Sequence, residues 1–240
     1  MPVERLDKII GGSGLFTRSE ARALIKGGRV CAGGVVAVSA ADKYDPGKER
    51  ITVDGAPLEY RKFRYVMMNK PAGVISSTKD RRDKTVLELL DGKYSKLGLF
   101  PAGRLDKDAE GLLILTNDGE LAHLITSPAS KISKQYFAAI DGAVSDADIQ
   151  AFSEGLVLKD GTKYLPAILE NTPGGVFVTL YEGKYHQVKR MMAAIGKPVK
   201  YLKRISIGGL KLNEGLMPGE YCEINVEIDL LMYKKSQNKR

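Results

Sequence analysis

The sequence predicts an α+β fold divided into two unequal units, and three observations carry that expectation. At 240 residues the chain can hold one large domain or two unequal ones and bury a sizeable core. Its 43% apolar and 28% charged residues are those of a folded globular protein rather than a disordered or fibrous one. Beyond residue 60, strand-like and helix-like stretches alternate without a repeating βαβ period, which favours a mixed sheet over a doubly wound parallel one. A turn-like Asp54-Gly55-Ala56-Pro57 and a polar, basic Tyr60 to Arg64 place the boundary at 60 to 63.

Lysine and arginine number 37 against 29 acids, giving a net charge of +8 and a pI near 9.3, so a polyanionic partner such as nucleic acid is expected. The two cysteines, Cys31 and Cys222, lie far apart, and His123 and His186 are the only histidines. Neither a zinc site nor a disulfide scaffold can be assembled from them. No stretch approaches the roughly 20 apolar residues that span a bilayer, and the start of the chain has no apolar core of signal-peptide length. A cytoplasmic chain without a membrane partner is expected.

In the first unit, Leu6, Ile9 and Ile10 fall at helical spacing within Val3 to Ile10, and Gly11-Gly12-Ser13-Gly14 ends that helix. Thr17-Arg18-Ser19-Glu20 has the capping-box form that opens a second helix, closed by Gly27-Gly28. Ala21, Leu24 and Ile25 face inward there, while Arg18, Arg22 and Lys26 recur every four residues on the opposite face and Arg29 extends the stripe. Val30 to Val38 and Ile51 to Val53 read as strands, with Tyr44-Asp45-Pro46-Gly47 as a turn between them.

In the second unit, Tyr65 to Asn69, Leu112 to Thr116, Gln135 to Ile140 and Val176 to Tyr181 read as strands. Glu120 to Ile125 follows the turn Asn117-Asp118-Gly119 as a helix, and Ser145 caps another running to Phe152. Val188, Met191, Met192 and Ile195 define a third, ended by Gly196 and Pro198, with Lys189 beside its buried seam. From Lys234 the chain is a basic end expected to be disordered.

Several chemistries fail for want of parts. No Gly-Lys pair is followed by Ser or Thr as a P-loop requires, and no GxGxxG joins a strand to a helix. Asp106, Asp108 and Glu110-Gly111 satisfy the opening positions of a calcium loop, but the twelfth is Asn117 where a bidentate carboxylate is needed. Neither histidine accompanies a nucleophile-elbow serine, and a structural role is the usual one for each. What remains is Gly103-Arg104-Leu105-Asp106, a carboxylate held on a turn ahead of a buried strand.

The order of the first unit, with Arg5-Leu6-Asp7-Lys8, the helix Thr17 to Arg22 and Gly28-Arg29-Val30, resembles the S4-type RNA-binding domain over residues 1 to 60. That resemblance implies that Arg5, Arg18, Arg22, Lys26 and Arg29 meet RNA phosphates, each contact gaining from counterion release. With nine basic and eight acidic residues before residue 61, placement matters there more than total charge. The run from Pro101 to Gly119 around Arg104-Leu105-Asp106 resembles the defining motif of RNA pseudouridine synthases. Lys70-Pro71 with Gly73, Lys134-Gln135-Tyr136, and Glu182 through Met191 resemble further motifs of that family, in order, over residues 65 to 210. His186-Gln187-Val188-Lys189-Arg190-Met191, together with an S4-type domain in front, points to the branch that modifies small-subunit ribosomal RNA.

The family resemblance implies an S4-like domain over 1–60 and an α+β catalytic domain over 61–233, with a mixed, largely antiparallel sheet flanked by helices. It implies a cofactor-free, metal-free isomerase in which Asp106 is the essential carboxylate, Tyr136 stacks on uracil, and Lys189 forms a single-point ion pair with Asp106. Arg104 is expected to hold the extruded RNA strand, while the loop from Ser76 to Lys84 reads equally well as an RNA contact or a solvated loop. The expected partner is ribosomal RNA, naked or within an assembling small subunit, met by a monomer. The same chemistry on large-subunit rRNA or tRNA, and an inert S4-bearing assembly factor, are the rival readings.

Overall fold

The structure is a computed structural model that describes residues 3–225, so the basic end from residue 234 lies outside the described residues. It forms two compact units: the chain up to Arg64 together with Leu90–Leu99, and Tyr65–Leu89 together with the chain from Phe100 onward. The boundary expected at 61 assigns Leu90–Leu99 to the second unit, whereas the segment packs within the first.

The first unit opens with a short strand, β1 (Glu4–Arg5), followed by α1 (Leu6–Gly11). The expected helix from Val3 therefore starts three residues late, because β1 pairs with β4 (Lys43–Tyr44). The capping box forms as read: Thr17 accepts from the Glu20 amide, Glu20 accepts from the Thr17 amide, and α2 (Arg18–Lys26) follows. The stretch Val30 to Val38 is not one strand. Gly33 and Gly34 both take positive φ, +58° and +86°, turning the chain into a hairpin of β2 (Val30–Ala32) and β3 (Val35–Val36). The Asp54-Gly55 turn likewise joins β5 (Ile51–Val53) to β6 (Ala56–Pro57), and the sheet order is β3-β2-β5-β6. Leu6, Ile9, Ile10, Leu24, Ile25 and Val30 bury against Ile51 and Val53, and α3 (Gly92–Ser95) belongs to the inserted segment.

Beneath this core edge lies a fully buried acid, Asp7. Its carboxylate accepts hydrogen bonds from Arg5 at 3.1 Å, Arg18 at 3.0 Å and Arg22 at 3.1 Å. Burial pushes the Asp7 carboxyl up, but the three guanidinium bonds outweigh it and hold it at about 2.

The second unit is built on one mixed sheet ordered β11-β12-β10-β13-β9-β7-β15. In chain order these strands are β7 (Tyr65–Lys70), β9 (Glu110–Thr116), β10 (Lys134–Ala139), β11 (Ile168–Thr172), β12 (Gly175–Leu180), β13 (Tyr201–Ile207) and β15 (Tyr221–Glu223). Short strands β8 (Phe100–Pro101) and β14 (Leu210–Lys211) add to β9 and β13. All pairings are antiparallel except β9 with β13. Strands β7 and β9 are buried on both faces, which explains their unbroken apolar runs. Helix α4 (Gly119–Thr126), capped by Asp118, packs Ala122 and Ile125 onto Met67, Leu112 and Ile114. Helix α5 (Asp146–Glu154) lies against β11, and α6 (Gln187–Ala194) buries Val188, Met191 and Met192.

The parallel crossing sets a strict demand at Gly111. It takes φ +103°, and a Cβ there would lie 2.2 Å from the Arg204 carbonyl oxygen. Gly111→Ala is therefore expected to cost at least about 3 kcal/mol, read as a lowered urea midpoint. Asp7→Asn is expected to cost about 2 kcal/mol at neutral pH, the worth of a shift from 3.8 to about 2. Because the folded value is depressed, that difference is complete above about pH 4 and fades as pH falls toward 2, which paired denaturant titrations would follow.

Candidate active site

Asp106 sits on the loop that leads from β8 into β9, and three side chains hold that loop by its backbone. The Lys70 ammonium, fully buried at the end of β7, donates to the carbonyls of Pro71, Lys107 and Ala109 at 2.9, 3.3 and 2.8 Å. Burial lowers the Lys70 ammonium to about 8, against the pull of Asp108, Glu110 and Asp106. The Ser76 hydroxyl accepts from the Leu105 amide and donates to the Leu105 carbonyl, both at 3.0 Å. Arg204 on β13 donates to the Leu112 carbonyl at 2.8 Å and reaches the Arg104 carbonyl at 3.5 Å. Gly73 adds a backbone bond to the Lys107 carbonyl.

Held in this way, the Asp106 carboxylate is about one quarter exposed and faces two groups from the start of α6. Lys189 Nζ lies 3.3 Å from one carboxylate oxygen and His186 Nε2 lies 3.5 Å from the other. The helix delivers both because Val188, Met191 and Met192 turn inward, leaving Lys189 on the flank. His186 enters the helix in the left-handed conformation, φ +48°, stacked on the ring of Tyr185 at 3.8 Å. Gln187 locks the turn by accepting from the Lys184 amide and donating to the buried Glu182. Lys189 also contacts Asp108 at 2.5 Å. Desolvation works against its charge, yet the bond to Asp108 and the field of Asp106 outweigh it and raise the ammonium. Lys189 in turn lowers the Asp108 carboxyl.

Asp106 opens onto a cleft of ≈ 620 Å³, the size of a small-molecule or nucleotide pocket. Tyr136, 9% exposed on β10, lines it together with Arg104, Lys134, His186 and Arg204. A register shift between Gln135 and Tyr136 sets Tyr136 directly across from Arg204 of β13. Arginine and lysine outnumber carboxylates around the cleft, with Arg104, Lys107, Lys134, Lys184 and Arg204 against Asp83 and Asp106. Among the described residues no group of three or more His, Cys, Asp or Glu side chains comes together as metal ligands would.

The residues singled out by sequence thus fall into two sets. Asp106, Tyr136 and Arg104 share the cleft, and Lys189 pairs with Asp106 at its edge, with Asp108 as a second partner that the sequence reading did not assign. In the first unit, Arg5, Arg18 and Arg22 converge on Asp7 while remaining about half exposed. Arg29 is not a free extension of that stripe: it makes a two-pronged pair with Asp54 at 2.7 and 2.5 Å. Lys26 is exposed on α2. His186, expected to be structural, lies beside Asp106 instead. Ser76, Lys134 and Arg204 were missed as cleft residues. Strand alternation carried a signal for two of them, since Lys134 shares a face with Tyr136, and Arg204 with Leu202 and Ser206.

Residues 64–194 match the family model described as RNA pseudouridylate synthase, and residues 4–49 match the S4 domain. The chain belongs to the RNA pseudouridine synthase family and is an isomerase of RNA uridine, with an S4 domain at its amino-terminal end. An RNA pseudouridine synthase of Bacillus subtilis is 44% identical to it, covering 93% of this chain and 95% of the relative. The ribosomal small subunit pseudouridine synthase A of Escherichia coli is 42% identical, covering 93% and 97%. A pseudouridylate synthase of known crystal structure superposes with a TM-score of 0.65 at 35% identity, covering 94% and 99%.

Ser76→Ala would leave the amide and carbonyl of Leu105 without their shared partner in a buried setting, at a cost of about 1–3 kcal/mol. The variant is expected to lose turnover at saturating RNA while keeping its RNA affinity. Single-turnover rates set beside filter-binding constants would show the split.

Proposed function

We propose that this enzyme converts a uridine of small-subunit ribosomal RNA to pseudouridine, with Asp106 as its essential carboxylate. The observation that carries the reading is a carboxylate at the edge of a basic cleft, set against Lys189 and His186, with the ring of Tyr136 lining the same cleft. The target class rests on the 42% identity with the small-subunit enzyme of Escherichia coli and on the His186-Gln187-Val188-Lys189-Arg190-Met191 sequence.

The reaction breaks the bond from uracil N1 to ribose C1′, turns the base, and joins C5 to C1′; the C5 proton leaves and N1 gains one. An Asp106 carboxylate serves this by adding to C1′ or by taking a sugar proton, and Lys189 Nζ, 3.3 Å away, pairs with it. Tyr136 offers a flat apolar surface to the uracil ring. A uridine within folded RNA must first be extruded, at a cost of a few kcal/mol that stacking and phosphate contacts offset. Arg104, exposed at the cleft and without a side-chain bond among the described residues, is placed to hold the extruded strand.

In the same reading residues 1–60, with Leu90–Leu99 packed within their unit, form the RNA-binding domain and the rest of 61–233 the catalytic one. Arg5, Arg18 and Arg22 present their outer N–H groups to phosphates while Asp7 fixes their spacing, and Lys26 adds a free ammonium. The exposed Arg29–Asp54 pair contributes less, because its charge is already matched. In this reading the enzyme works as a monomer in the cytoplasm on ribosomal RNA, naked or within an assembling small subunit. No helix of the described residues is long and apolar enough to cross a membrane.

Asp106→Asn keeps the shape of the side chain and removes its charge, so it is expected to abolish product while RNA affinity stays within about twofold. Carbodiimide mapping of small-subunit rRNA reads the product, and normal product formation would overturn the assignment. Lys26→Gln and Arg104→Gln should each reduce the slope of log affinity against log salt by about one, the signature of a lost phosphate contact.

A further inference from the structure

Lys134 is a buried cation without a partner. Its side chain is 6% exposed, it lines the cleft, and it makes no hydrogen bond or ion pair among the described residues. Burial first, and the charge of nearby Arg204 second, lower its ammonium to about 8, with no carboxylate acting in the other direction. The other buried lysine, Lys70, is by contrast satisfied by three carbonyls. Beside it, Arg204 Nη2 is fully enclosed with no hydrogen-bond partner, a costly state for which a catalytic or ligand-binding role is one explanation.

Its position indicates which ligand. Lys134 and Tyr136 are two residues apart on β10 and therefore share a face, about 7 Å apart along the strand. A uracil lying on Tyr136 would present its rim to the ammonium. Arg204, opposite Tyr136, is a second buried cation with no acid bonded to it, and its Nη2 has no hydrogen-bond partner. The cleft lining thus holds the carboxylate of Asp106 together with two cations, Lys134 and Arg204, that no acid pairs.

Resting on the reading above, we propose that Lys134 is a further catalytic residue whose ammonium, supported by Arg204, stabilises the negative charge on uracil as it leaves the sugar. When the bond from N1 to C1′ breaks, its electron pair stays with the base and spreads over N1, O2 and O4, while C1′ becomes electron-poor. The carboxylate of Asp106 compensates the sugar, and the cations compensate the base. When C5 then attacks C1′ the charge returns to the new bond, the C5 proton is released, and N1 is protonated, so no oxidant or reductant is required. Fixed charges that await a developing charge lower a barrier more than groups that must reorganise.

The test uses the full-length enzyme and an rRNA fragment whose uridine the wild type converts; a wild type that converts none would refute the functional reading itself, separately from the role of Lys134. Lys134→Met, close in volume, is expected to slow single-turnover formation of the C-glycoside about 100-fold, with RNA affinity within about twofold. Lys134→Arg should recover at least about tenfold of that loss, because it restores a cation. With 5-fluorouridine at the target, where fluorine stabilises the same anion, the deficit of Lys134→Met should shrink to about tenfold or less.

Equal deficits on uridine and 5-fluorouridine would overturn the proposal. So would an arginine variant as slow as the methionine one in an equally folded protein, which would mark a proton-transfer base. A loss confined to RNA affinity, with the saturated rate unchanged, would mark a phosphate contact and overturn it equally.

Discussion

The ammonium of Lys70, surrounded by the carbonyls of Pro71, Lys107 and Ala109, is the interaction on which the catalytic cleft depends. The loop carrying Asp106 must resist the pull of the cations beside it, and few local hydrogen bonds are available in an irregular segment. Here the restraint comes from outside: Lys70 from β7, Ser76 from the segment after it, and Arg204 from β13. Each grips main chain rather than side chain, so Asp106 remains free to meet substrate while its Cα stays fixed. Lysine suits the first role because one compact ammonium can donate in three directions.

This arrangement also explains what the sequence could and could not disclose. The apolar runs of β7 and β9, the capping boxes of α2 and α5, and the seam of α6 are local patterns that read directly as structure. The Asp106 motif, Tyr136 and Lys189 were legible through family resemblance. Periodicity alone would have left Tyr136 in the core and Asp106 as a turn residue. The roles of Lys70, Ser76 and Arg204 were not legible, because each is defined by a carbonyl or amide more than 25 positions away. The hairpin at Gly33-Gly34 was missed for a different reason: β-branched residues on both sides of the turn masked it as one long strand. Arg29 shows the limit of reading a stripe, since its spacing with Lys26 is visible in sequence but its partner Asp54 is not.

The two units solve opposite electrostatic problems. In the first, one buried carboxylate draws three arginines into a fixed array, so a module with nearly balanced charge still offers a patterned cationic surface. In the second, Lys189 is shared between Asp106 and Asp108, leaving excess negative charge at that edge of the cleft, while Lys134 and Arg204 are without acid partners in its lining. Pattern, not total charge, distinguishes binding from chemistry in this chain.

The parallel pairing of β9 with β13 joins Glu110 to Lys203 and Gly111 to Arg204 across most of the second unit. During synthesis the first unit has all of its segments once Leu99 has emerged, but the cleft lacks a wall until Ile207 follows. At a translation rate of about 5–20 residues per second, that interval lasts roughly 5–20 s. A newborn chain is thus equipped to grasp a polyanion well before it can alter one.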